Sequence, residues 1–180
     1  MVAAAKGPAV SASAAAQAEA ILKAEPNYVP ALMVSGLAQE KAGNYKQAAH
    51  SYEKALADFP LFAPATRNLA ILCFERLGDD TRAYDLASKA RQTFRDDPRL
   101  ARTLGILSYR KQDYQKAAQF LKEAAQSQAG DGEVLFCLGL AQYQLKARSE
   151  CKTSLQKALA LNSLEPKKAD EARRVLAELK

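Results

Sequence analysis

A small residue returns along this chain every 34 or 35 positions, and that beat constrains the fold more than any other feature. Gly36 is followed by Ala70, Gly105 and Gly139, at steps of 34, 35 and 34. Ala48 returns as Ala83, Ala117 and Cys151, and Ala55 as Ala90, Ala124 and Ala158, each at steps of 35, 34 and 34. Three independent marks in one register describe a supersecondary unit written four times, which points to a solenoid whose units share their cores with neighbours.

Within the first unit the pattern is that of two helices. From Pro30 to Ala42 the apolar residues Leu32, Met33, Leu37 and Ala38 fall at helical spacing. Pro30 suits a first helical turn, where its missing N–H costs nothing, and Gly43 suits the left-handed residue that ends a helix. Asn44 is expected to cap the next helix, with Gln47 reaching back as in a capping box. That second helix carries Ala48, Ala49, Tyr52, Ala55 and Leu56 to about Asp58 and stops near Pro60. One unit is therefore an antiparallel helix pair, and the chain is all-α.

The units divide as 29–62, 63–97, 98–131 and 132–165. In the second, Leu77 reads as one inserted residue before Gly78. In the third, Gln112 replaces the turn glycine, so that turn is expected to be strained or differently shaped. Ala14, Ala18 and Pro26 stand 34 before Ala48, Tyr52 and Pro60, which makes 11–28 a half unit or N-terminal cap and 1–10 a floppy leader. Pro166 opens a last helix with Arg173 at the position of Gly139; a bulky charge there makes 166–180 a capping helix.

Composition narrows the function. A net charge of +6 is spread among 20 acidic residues and never forms a basic block, which argues for a mixed solvated surface over a nucleic-acid footprint. Three cysteines, Cys73, Cys137 and Cys151, form no CxxC pair, and His50 is the single histidine. No metal site, cofactor or catalytic constellation is expected, and the thiols are expected to be reduced core residues. No apolar run is long enough to span a membrane. The first residues are too rich in Ala and Ser for a secretory leader, which favours the cytoplasm, while a periplasmic or membrane-tethered parent protein stays compatible.

The period, Leu-Gly in the first helix, a turn followed by Tyr, then Ala, Tyr, Ala and Pro together resemble the tetratricopeptide repeat family over about 29–165. Its tryptophan is replaced by Leu32, Thr66, Ala101 and Leu135. The resemblance implies a right-handed superhelical solenoid of helix pairs whose first helices line a concave groove for a segment of a partner protein. Its groove positions fall here on Met33 and Leu37, with Pro30, Glu40 and Lys41, in the first unit. In the second they fall on Arg67, Asn68, Ile71 and Phe74, with Glu75. The third supplies Arg99, Arg102, Ile106, Tyr109 and Arg110, and the fourth Phe136, Leu140 and Tyr143, with Glu133 and Gln144. These residues also lie on the helix face opposite the small and leucine positions.

Aromatic groups beside arginines are the composition of an interface, and arginine favours carboxylates. The expected partner is therefore an acidic segment with apolar anchors. The plainer reading is that Ile71, Ile106 and Leu140 pack on neighbouring units while Arg67 and Arg102 pair with Glu75 or Glu40. One subset of the family grips the C-terminal carboxylate of chaperones; only Asn68 and Arg99 fit its pattern, against Met33, Leu37 and Thr103. The alternatives are an RNA-binding helical-repeat module and a self-assembling scaffold. Gly36 and Ala48 are expected to face each other, and Gly105→Leu to cost about 1–3 kcal/mol by overpacking.

Overall fold

The computed structural model describes residues 11–127 and 130–179, so the leader expected over 1–10 lies outside the described residues. Every regular element among the described residues is helical, and none is long and apolar enough to cross a membrane. The chain forms two compact units, Met1–Ala90 and Arg91–Lys180.

The first unit holds α1 (Ala12–Ala24), α2 (Val29–Lys41), α3 (Tyr45–Asp58), α4 (Ala63–Leu72), a π-helical turn (Cys73–Leu77) and α5 (Asp80–Ala90). Each helix packs on the next in sequence. Ser11 caps α1 by accepting the Ala14 N–H at 3.1 Å, and Pro30 and Pro64 sit in the first turns of α2 and α4. The second unit holds α6 (Pro98–Arg110), α7 (Tyr114–Ser127), α8 (Gly132–Gln144), α9 (Arg148–Ala160) and α10 (Pro166–Glu178). Here α8 meets α6, α7, α9 and α10, which is why nine of its residues are buried, Gly132 at its start included.

Three of the four hairpin turns close in the same way. Asn44 N–H donates to Gln39 O at 2.8 Å, Asp113 N–H to Ser108 O at 2.9 Å, and Ala147 N–H to Gln142 O at 2.9 Å. The residue before each donor is left-handed: Gly43 at φ +80°, Gln112 at +62° and Lys146 at +60°. Gln112 therefore keeps the common turn shape and bears the strain in its own backbone. Left-handed backbone costs a side-chain-bearing residue about 1–2 kcal/mol, and glycine returns about 0.5–1 through its freer unfolded chain. Gln112→Gly should raise stability by about 0.5–1 kcal/mol, read as a higher urea midpoint at unchanged slope.

The inserted Leu77 is absorbed in the π-helical turn. Gly78 N–H bonds back to Cys73 O, and Asp79 N–H reaches the same oxygen at 3.1 Å. One residue has been added to the closing loop, and Gly78 still takes the left-handed position at φ +68°. Asp79 then caps α5 by accepting the Arg82 N–H at 3.1 Å.

Two expectations need correction. Asn44 does not cap α3: its backbone is at φ −85°, ψ +59°, outside the extended region an N-cap needs, and its Nδ2 donates to Gln39 Oε1 at 2.9 Å. Gly36 does not face Ala48 but lies on the Tyr52 ring; a Cβ there would meet Tyr52 Cζ at 2.7 Å. Likewise a Cβ on Gly105 or Gly139 would sit 2.6 Å from Cγ of Leu121 or Leu155. With the first helix of each pair called inner and the second outer, the partner is the residue one helical turn further along the outer helix. In the second repeat that register pairs Ala70 with Ala87, both fully buried. Where the outer residue is large the inner one is glycine, and where it is alanine the inner one is alanine too.

All three cysteines are free and buried. Burial pushes the Cys73 thiol up to about 11 and Cys137 up to about 12, so both are protonated, poorly nucleophilic core groups at neutral pH.

Candidate functional site

In the first unit α2 presents Leu37, which is 39% exposed, beside half-buried Met33. On α4, Arg67 Nη1 donates to Asn68 Oδ1 at 3.1 Å. Phe74 lies half-buried in the π-helical turn, while Ile71 is 2% exposed.

The second unit gathers more. Tyr109, half-buried near the end of α6, has its ring 5.9 Å from Tyr114 at a 56° tilt, and burial pushes its hydroxyl up to about 12. Arg110 beside it is exposed and Arg99 is half-buried. Tyr143, also half-buried, donates its hydroxyl to Glu178 Oε2 at 2.6 Å. That carboxylate raises the Tyr143 pKa above the usual phenol value.

Four of the groove positions are core instead. Ile71, Ile106, Phe136 and Leu140 are at most 5% exposed. The physical reason is plainest at α8, which four helices surround: a face turned away from a helix's own hairpin partner is still covered by the neighbours. Thr103, at a chaperone-clamp position, is also buried, at 1% exposed.

Arg102 is committed elsewhere. Its Nε donates to Asp131 Oδ2 at 2.8 Å and its Nη2 to Glu133 Oε2 at 2.6 Å. Glu133 also accepts from Lys168 Nζ at 2.6 Å, and Asp131 Oδ1 caps α8 through the Val134 N–H at 3.1 Å. Asp131 and Glu133 are partners of Arg102 that the sequence reading did not name. A signal was present: Asp97 and Asp131 stand 34 apart, each just ahead of an inner helix, and Asp97 likewise accepts the Arg99 and Leu100 N–H groups at 2.9 and 3.1 Å. With the Arg102 side chain only 19% exposed, Arg102→Leu takes one partner from each of two half-buried carboxylates and should cost about 1–3 kcal/mol, measured by urea unfolding.

Sequence reasoning passed over one surface. Glu25, Pro26, Asn27, Tyr28, Val29, Pro30 and Phe59 line a recess of about 560 Å³ in the first unit. Nearby Leu61 is 95% exposed. The N-caps of α2 and α4, Tyr28 and Phe62, make no side-chain capping hydrogen bond, whereas Asp97 and Asp131 hold the matching places ahead of α6 and α8. Charge divides too: the first unit has nine basic and nine acidic residues, the second seventeen and eleven, so the whole excess lies in the second.

A tetratricopeptide repeat model matches residues 33–98. No curated protein matches the chain. Among solved structures, one of MamA from AMB-1 is 25% identical with a TM-score of 0.68, covering 84% of this chain and 80% of that one. MamA from MSR-1 gives 22% and 0.63, with coverage of 84% and 94%. YrrB, described as a TPR protein with an unusual peptide-binding site, gives 16% and 0.70 over 89% and 81%; the likeness to these last two is one of fold.

Proposed function

The chain is a tetratricopeptide-repeat protein, and from that premise we propose that it is a non-catalytic scaffold binding an acidic partner segment with apolar anchors on its second unit. The observation that carries the reading is the group formed by the tilted Tyr109–Tyr114 pair and exposed Arg110, in the unit that holds the chain's excess positive charge. A half-buried ring beside a second ring offers apolar area at little entropic cost, and the exposed Arg110 guanidinium adds positive charge next to it. Arg102 contributes nothing to the ligand, since Asp131 and Glu133 neutralise it. Met33, Leu37 and Phe74 give the first unit a more apolar surface of the same kind, with Arg67 and Asn68 as its polar groups.

The test is a titration with a synthetic peptide of repeating Glu-Leu-Glu-Phe against its Lys-Leu-Lys-Phe counterpart. The acidic peptide should bind and weaken as salt rises, and Tyr109→Ala with Arg110→Glu should weaken it at least about 30-fold, the scale of an interface hot spot. Equal binding of both peptides, or an unaffected double variant, would overturn the reading. The charge excess of the second unit also keeps an RNA-binding reading in view; its mark would be RNA affinity falling steeply with salt.

A further inference from the structure

Helix α10 is held differently from the inner helices before it. Those helices lie against an outer helix through a small residue, as Gly105 does on Leu121 and Gly139 on Leu155. At that register α10 carries Arg173, whose side chain is 65% exposed and paired with Asp170 of the same helix at 2.7 Å. Its buried residues are Ala172 and Val175, with Leu179 just beyond its end. Two polar contacts tie its ends to α8: Lys168 to Glu133, and Tyr143 to Glu178, each 2.6 Å long. Both join residues 35 apart, so α10 lies beside α8 as a further inner helix would. One of the two ties takes the hydroxyl of Tyr143, which the family resemblance counts among the groove positions of the same unit.

We propose that α10 is a displaceable strap, docked on α8 and α9 while the surface is empty and released when a partner group takes the Tyr143 hydroxyl. The proposal rests on the reading of the second unit as a binding surface. A ligand shifts such an equilibrium only through different affinities for its two states, and a single shared hydroxyl supplies that difference. Sparse apolar burial and solvent-exposed hydrogen bonds are the marks of a segment that opens before the rest.

Hydrogen exchange of the full chain, read by mass spectrometry, tests this. Without peptide, α10 amides should exchange on the order of 100-fold faster than those of α8 and α9. Tyr143→Phe keeps the ring and removes the tie, so it should speed α10 exchange roughly 3- to 10-fold and leave α6 to α9 unchanged. Exchange of α10 in step with α8, or no response to Tyr143→Phe, overturns the strap. Saturating Glu-Leu-Glu-Phe peptide should speed α10 exchange again. Binding without that change overturns the competition and leaves the surface standing; no binding at all overturns the surface and the competition together, while the peptide-free exchange still decides whether α10 opens.

Discussion

Gly105→Leu is expected to lose about 3 kcal/mol of stability, at the upper end of what overpacking costs. The first added carbon already meets Leu121 Cγ at 2.6 Å and the Leu121 backbone nitrogen at 3.0 Å. A side chain can rotate aside; a backbone nitrogen moves only with its helix, so α6 and α7 must separate along their length. Better helix propensity returns up to about 1 kcal/mol, too little to reverse the sign. A double-mutant cycle isolates the cause. Leu121→Ala alone should cost about 2–5 kcal/mol and Gly105→Ala about 1–3. Together they recreate the Ala70 and Ala87 arrangement of the second repeat, and their combined loss should fall short of the sum by at least about 1 kcal/mol. Additive losses in urea unfolding would mean that Gly105 is small for some reason other than Leu121.

The repeat was legible because the small residues report a steric requirement that recurs wherever two helices cross closely. Leu77 was legible for the same reason: the count breaks there, and a helix can accommodate one extra residue by widening a single turn. Which residue each glycine faces was not legible, because periodicity fixes a helix face but not the height at which the partner helix crosses it. The compensation of Gly36 with Tyr52 and of Ala70 with Ala87 becomes visible only once that height is known. Asn44 shows a similar limit. Its type and place suit a cap, as Asp79 and Asp113 show at the matching turns, but its side-chain amide donates to Gln39 across the turn and makes no bond to a helix N–H. At the candidate site, sequence placed Tyr109, Arg110 and Tyr143 on an accessible inner-helix strip, while the commitment of Arg102 to Asp131 and Glu133 depended on contacts between repeats.

Phe136 and Tyr109 stood together as groove residues in the sequence, and the structure separates their expected effects. Phe136 is 4% exposed on a helix in contact with four others. Phe136→Ala should open a cavity and cost about 3–5 kcal/mol. Phe136→Leu keeps most of the volume, should cost less than about 1.5 kcal/mol, and should bind the Glu-Leu-Glu-Phe peptide as the native chain does. Tyr109→Ala should reverse the order of effects, with a modest loss of stability and a large loss of peptide affinity, because its ring is half outside the core. Urea midpoints and peptide titrations on the same preparations give both quantities. If Phe136→Leu keeps its stability and loses the peptide, Phe136 is a contact after all, and the inner face of α8 must open further than its packing against α6, α7, α9 and α10 allows.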